Sequence, residues 1–216
     1  VLLGGAPGVR PAQVTILGAG VAGSNAAAMA LGLGAQVTLL DINIDRLREL
    51  DTLYGGRLHT VASNTYEIER SVVDADLVIG SVLIPGARAP KLVTHELVSR
   101  MKPGSVLVDI AVDQGGCFED SRPTTHQDPS YRVHESIFYC VANMPGAVPN
   151  TSTYALTNVT LRYALAMADL GPAAALDRDP ALAAGLNTAG RQVTHHSVSE
   201  AHGLPLVQDW RRLLSA

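Results

Sequence analysis

Along the first 140 or so positions, apolar residues fall into two alternating patterns. Short β-branched or aliphatic runs read as six strands: Val14 to Leu17, Gln36 to Leu40, Leu58 to Ala62, Leu77 to Gly80, Ser105 to Val112 and Ile137 to Val141. Stretches with helical spacing lie between them. One is alanine-rich and follows Gly23; the others are Ile44 to Leu53, Tyr66 to Val73 and Lys91 to Met101. The strand runs are apolar on both alternating faces, as strands covered by helices on each side must be. The expected fold class is therefore α/β, a Rossmann-type doubly wound parallel sheet with a C-terminal helical segment. Right-handed crossovers bring the carboxyl ends of such strands to one edge, where ligands bind.

The pattern changes near residue 145. Met144 to Pro149 is rich in helix breakers. A long helix is expected over Tyr154 to Asp169, capped from Thr151-Ser152 and stopped by Gly171-Pro172. Asp179-Pro180 opens a short helix that ends before Gly185, and Ser197 to His202 is amphipathic up to Gly203. The expected division is a Rossmann domain over 1–148 and a helical segment over 149–216. That segment is a poor independent domain and is expected to dock on the sheet or on a domain outside this chain.

The glycines after the first strand stand at Gly18, Gly20 and Gly23, in the spacing G-x-G-x-x-G. Each has a physical job in a dinucleotide site. Gly18 permits the tight turn, Gly20 leaves room for a pyrophosphate, and Gly23 lets the helix approach the strand. The helix N-terminus then offers unpaired N–H groups to the phosphates. A glycine-rich turn without a ligand is the alternative, but strand, turn, helix, strand and acid all occur in order. Asp41 closes the second strand, where a carboxylate accepts from both ribose hydroxyls and repels a 2′-phosphate, which favours NAD over NADP. Its alternative is a strand-end aspartate that starts a turn, and Arg46, five residues on, would soften the preference.

Composition narrows the classes. The chain has 216 residues, 47% apolar and 17% charged, with a net charge of −4, which argues against a nucleic-acid partner. No apolar run is long enough to span a membrane. Cys117 and Cys140 form neither a metal-ligand pattern nor a disulfide framework, so they read as buried small hydrophobes in a reducing cytoplasm. No metal site is expected, because His59, His95, His126, His134, His195, His196 and His202 lack supporting ligands at zinc spacing. Val1 to Val9 has neither a basic n-region nor a cleavage site, and the chain is expected to begin inside a longer protein.

Polar residues at the strand ends are the candidates for chemistry: Ser63, Ser81, Asp109, Asp113 and Asn143. Asp113 precedes Gln114-Gly115-Gly116 and reads either as a carboxylate that orients substrate and relays a proton or as a turn cap. Asp109 lies inside an apolar run and reads first as a buried structural acid. Asn143 either donates to a cofactor or holds the loop before Pro145.

These residues resemble a known family. Ile16 to Asp41 is similar to the nucleotide-binding signature of alanine dehydrogenases and the related NAD(P) transhydrogenase α subunits. Asp109 to Cys117, Ser121 to Thr125, and Tyr139 to Pro145 followed by Thr151 to Asn158 resemble the alanine dehydrogenase side more closely. The resemblance implies reversible oxidative deamination of L-alanine to pyruvate and ammonia with NAD, by hydride transfer from the alanine Cα. It implies that Gly18, Ala19, Gly20 and Gly23, with Val21, hold the pyrophosphate. Asp41, Ile42, Arg46 and Ser63 would take the adenosine end. Ser81, Val82, Leu83, Ile110, Ala111, Val112, Asp113, Val141, Asn143 and Met144 would line the nicotinamide side, with Asp113 as the catalytic aspartate. It also implies a homohexamer. The family's substrate-holding arginine and lysine and its catalytic histidine precede this stretch, so the chain alone is expected to be inactive. The residues leave open a transhydrogenase-type nucleotide-binding domain and a related dehydrogenase for another amino acid.

Overall fold

The structure, a computed structural model, describes residues 1–83 and 90–214. The described chain divides after Met144 into two compact units. The first is built on β1 (Gln13–Leu17), β2 (Gln36–Asp41), β3 (Leu58–Ala62), β4 (Leu77–Gly80), β5 (Val106–Asp109), β6 (Ser130–Val133) and β7 (Ser136–Tyr139). Their order in the sheet is β3-β2-β1-β4-β5-β7-β6. All neighbours are parallel except the β6–β7 hairpin at the edge.

Alternation along each strand feeds a core on each face. Val14, Ile16, Val37, Leu39 and Leu58 pack with α1 (Val21–Gly32) and α2 (Ile44–Tyr54). Leu17, Leu40, Val78, Leu107 and Phe138 pack on the opposite face with α3 (Thr65–Val73) and α4 (His95–Ser99). The buried stripe of α1 is Gly23, Ala27 and Ala30, small residues that bring the helix axis close to the strands. Side-chain caps start the other helices. Asn43 accepts from Arg46 N–H, Asn64 from Glu67 N–H and Thr94 from Leu97 N–H, each contributing about 1 kcal/mol.

The doubly wound parallel sheet agrees with the sequence reading, with three departures. Strand β6 was not anticipated: Ser130 to Val133 is short, exposed at alternate positions and protected as the antiparallel edge. The helix expected over Lys91 to Met101 is confined to His95–Ser99, because Leu92 N–H donates to Cys117 O and Glu119 N–H to Val93 O, at 2.7 and 2.9 Å. The strand expected through Val112 stops at Asp109, whose carboxylate takes Ala111 N–H at 3.0 Å and turns the chain.

The second unit, from residue 145, holds α5 (Pro149–Leu170), α6 (Pro172–Arg178), α7 (Pro180–Ala184), a hairpin of β8 (Thr188–Ala189) and β9 (Gln192–Val193), α8 (His196–His202) and α9 (Arg211–Leu214). Gly171-Pro172 ends α5 as expected, yet Pro172 also opens α6, since proline suits a first helical turn. Ala175, Leu176, Ala189 and Val193 are its buried apolar residues. Among the described residues, no helix is long and apolar enough to cross a membrane.

Candidate functional site

The strand order reverses between β1 and β4, so their carboxyl ends open a crevice, the usual ligand position in such sheets. Gly18 leaves β1 with φ 102°, a conformation L side chains rarely adopt. Ser81, at the end of β4, donates its hydroxyl to Leu17 O and Gly18 O at 2.9 and 3.0 Å. Gly23 is packed against this turn: a Cβ there would sit 1.8 Å from Gly18 O and 2.6 Å from Ser81 Oγ. Gly20 is the opposite case. It is exposed, has nothing within 4 Å of a built Cβ, and caps α1 with no side-chain bond. The first N–H groups of α1 therefore face open space beside a backbone that an anion can approach closely.

Asp41 is tied to the same turn. One carboxylate oxygen accepts Ala19 N–H at 2.6 Å and the other accepts Asn43 N–H at 2.8 Å. A carboxylate has about four lone-pair sites, so acceptor capacity remains on an oriented group. Arg46 grips the turn from the other side. Its Nε donates to Ala19 O at 3.0 Å, and its terminal nitrogens donate to Ser24 Oγ at 2.9 Å and pair with Glu49 at 2.7 Å.

A cavity of about 600 Å³ fills the crevice. Its floor is Leu17, Gly18, Gly20, Val21 and Ala22; Leu40, Asp41, Ile42 and Ser63 wall one side, and Ser81, Val82, Leu83, Pro90 and Leu92 the other. The structure thus brings together nine anticipated site residues: Gly18, Gly20, Val21, Asp41, Ile42, Ser63, Ser81, Val82 and Leu83. Ala19 and Gly23 are buried in the turn, and Arg46 borders a separate groove between α1 and α2. Ile110, Ala111, Val112, Asp113, Val141, Asn143 and Met144 lie outside this cavity, following β5 and β7. Ile110 N–H donates to Gly80 O at 2.8 Å, which ties that stretch to the end of β4.

Asp113 sits in a one-turn 3-10 helix, Val112–Gln114, exposed and without a hydrogen bond or ion pair to its carboxylate among the described residues. Asp109 is its buried counterpart. It is fully buried and accepts Ala111 N–H, Cys117 N–H at 2.8 Å, Phe118 N–H at 3.4 Å and the Ser121 hydroxyl. Asp109 is therefore a structural acid, as its place in an apolar run suggests. Asn143 holds φ 56°, and its carbonyl accepts from His126 Nε2 at 3.2 Å when that nitrogen carries the proton.

Both cysteines are buried and free. Burial, reinforced by the Asp109 charge, pushes the Cys117 thiol up to about 12, and burial also raises Cys140. Burial and the Cys140 contact push the Tyr131 hydroxyl well above its usual range. These groups are poor nucleophiles at neutral pH. His95 bridges Asp120, at 2.9 Å on Nδ1, and His134 Nε2, at 3.0 Å. Among the described residues, no group of three or more His, Cys, Asp or Glu could hold a metal ion. Two residues with evident structural jobs carried no such signal in the sequence: Lys91, whose ammonium reaches Gly115 O and Phe118 O, and His126. Both act across 17 or more positions, where spacing patterns are silent.

Residues 1–196 match the family described as alanine dehydrogenase/PNT, C-terminal domain. The alanine dehydrogenase of Mycolicibacterium smegmatis is 59% identical over 205 residues, covering 95% of this chain and 55% of that protein. A solved L-alanine dehydrogenase structure is similar with a TM-score of 0.85 and 53% identity, over 94% of this chain and 56% of the other. A transhydrogenase from Sinorhizobium meliloti is more distant, with a TM-score of 0.63 and 32% identity over 71% of this chain and 45% of the other. The chain spans about half the length of the curated relatives it matches. With its glycine turn and oriented Asp41 at the switch point, the chain belongs to the alanine dehydrogenase/PNT C-terminal domain family, and its Rossmann unit is that family's NAD-binding domain.

Proposed function

We propose that this chain is the NAD-holding half of an L-alanine dehydrogenase, which deaminates L-alanine to pyruvate and ammonia when completed by a substrate-holding half. The observation that carries the reading is the crevice itself: an open Gly20 beneath a cavity of about 600 Å³, with Asp41 fixed on its wall. A pyrophosphate fits over Gly18, Ala19, Gly20 and Val21, where the α1 N–H groups hold it. Asp41, with Ile42 and Ser63, takes the adenosine ribose, and its charge disfavours a 2′-phosphate. Arg46 joins them at the adenosine end and also keeps the Gly18–Gly20 turn in shape. Ser81, Val82 and Leu83, then Ile110, Ala111, Val112, Val141, Asn143 and Met144, make the nicotinamide side.

NAD, when bound, supplies the hydride acceptor. Asp113 stands where an unpaired carboxylate orients the substrate amine and exchanges a proton with it. The helical unit from residue 145 belongs with the substrate-holding half, and the chain alone turns over no alanine. Further parts of the proposal are a homohexamer in the cytoplasm and no nucleic-acid or membrane partner. A chimera of the M. smegmatis N-terminal half joined to this chain tests the reading. Alanine-dependent NADH formation, abolished by Asp113→Asn with NAD affinity kept, is expected. NAD binding without such turnover would favour the transhydrogenase-type alternative.

A further inference from the structure

We propose that Lys91 is a positioning residue, which sets the Asp113 turn against the nicotinamide end of the cofactor. The proposal rests on the reading of residues 110–113 as part of the nicotinamide side. After β5 the chain reverses through Val112–Gln114 and two successive left-handed glycines, Gly115 at φ 92° and Gly116 at φ 75°. Inside the turn, Gln114 and Gly116 N–H donate to Ala111 O and Gly115 N–H to Val112 O, and the freedom that two consecutive glycines still leave is restricted further by contacts from outside.

Two oppositely charged side chains hold it. Asp109 takes the amide side, accepting Ala111, Cys117 and Phe118 N–H. A carboxylate holds no carbonyls, since it only accepts. Lys91 does that work: its Nζ donates to Gly115 O and to Phe118 O, the latter at 2.8 Å. Lys91 is itself anchored, because Leu92 N–H donates to Cys117 O and Glu119 N–H to Val93 O. Its neighbours Pro90 and Leu92 line the dinucleotide cavity. The same short segment therefore borders the cofactor cavity and grips the turn that carries Asp113. Among the described residues the Asp113 carboxylate has no hydrogen bond or ion pair, so its place is set by this backbone.

The test uses this 216-residue chain, with NAD and ADP-ribose titrated by calorimetry and amide hydrogen exchange followed by mass spectrometry. ADP-ribose shares the adenosine and pyrophosphate contacts and lacks the nicotinamide. The parent is expected to bind NAD more tightly than ADP-ribose. Lys91→Met, which keeps the aliphatic stem, should weaken NAD about tenfold, as loss of a charge-assisted contact implies, with ADP-ribose unchanged within about twofold. Exchange should quicken at residues 115–118 and keep the parental rates at residues 18–24. Lys91→Arg, which keeps a donor, should restore most of the NAD affinity. Equal weakening of both ligands would make Lys91 a general fold residue and overturn the proposal, as would parental affinity for both. A parent that binds NAD no better than ADP-ribose would instead refute the nicotinamide reading itself, before any variant is compared.

Discussion

Gly20 and Gly23 stand three residues apart in one turn, and alanine at each should do opposite things. At Gly23 the added methyl would lie 1.8 Å from Gly18 O, and real Cβ atoms essentially never come within 3.0 Å. Backbone must move by at least about 1.2 Å, because both atoms belong to the rigid strand-turn-helix unit. The shift also strains the bond from Ser81 Oγ to Gly18 O. Overpacking of this kind costs about 1–3 kcal/mol, and one weakened buried hydrogen bond adds about 1. Gly23→Ala should therefore lose about 2–4 kcal/mol, or roughly 5–15 °C in Tm for a chain of this size. At Gly20 the backbone, φ −64° and ψ −169°, suits any L residue, and a Cβ meets nothing within 4 Å. Gly20→Ala should change stability by less than about 0.5 kcal/mol. Its methyl would stand where the pyrophosphate approaches, so NAD affinity should fall at least about tenfold, worth about 1.4 kcal/mol. Thermal unfolding by circular dichroism and NAD calorimetry on the same preparations read both effects. A Gly23→Ala chain with the parental Tm would show that the turn does not need a bare Cα there, and a Gly20→Ala chain with parental NAD affinity would show that no pyrophosphate lies over Gly20.

Three further outcomes follow from the geometry. Asp109→Asn presents an amide donor to backbone N–H groups that need an acceptor, and it should lower stability by about 3 kcal/mol or more in denaturant unfolding. The Cys117 thiol is held neutral in the fold, so the unfolded thiol ionises first as pH rises from its ordinary 9.0 toward about 12. The contribution is fully present below pH 9 and is lost across that window, and the unfolding midpoint should fall with pH less steeply in Cys117→Ala than in the parent. Arg46→Met removes the donors to Ala19 O and Ser24 Oγ and should weaken NAD and ADP-ribose alike by about 1–2 kcal/mol in calorimetry, because it loosens the turn both ligands use.

Local chemistry was readable along the chain where contacts are close in sequence. Six of the seven sheet strands follow from apolar runs, and the glycine spacing locates the turn after β1 because Gly18, at φ 102°, and Gly23, whose Cβ would lie 1.8 Å from Gly18 O, answer backbone demands within a few residues. What escaped depends on distant partners. Lys91 to Val93 has helical periodicity, yet it is extended because Cys117 and Glu119 pair with it. Asp109 sits in a continuous apolar run, and only its contacts with residues 111–121 explain why the strand stops there. The resemblance puts Arg46 at the adenosine end, and spacing alone does not show that it also bonds Ala19 O, Ser24 and Glu49. The short edge strand Ser130–Val133 carries too little apolar signal to be seen alone.

In the proposed reading, NAD occupies the crevice above Gly20, with Asp41 fixed on its wall. Titrating this chain with NAD and with NADP, in the parent and in Asp41→Ser, tests it most directly. Saturable NAD binding is expected, with NADP weaker by at least about tenfold and that gap narrowed in Asp41→Ser, because the charge that repels a 2′-phosphate is gone. A parent that binds neither dinucleotide, or an Asp41→Ser chain with an unchanged NAD-to-NADP ratio, would contradict it.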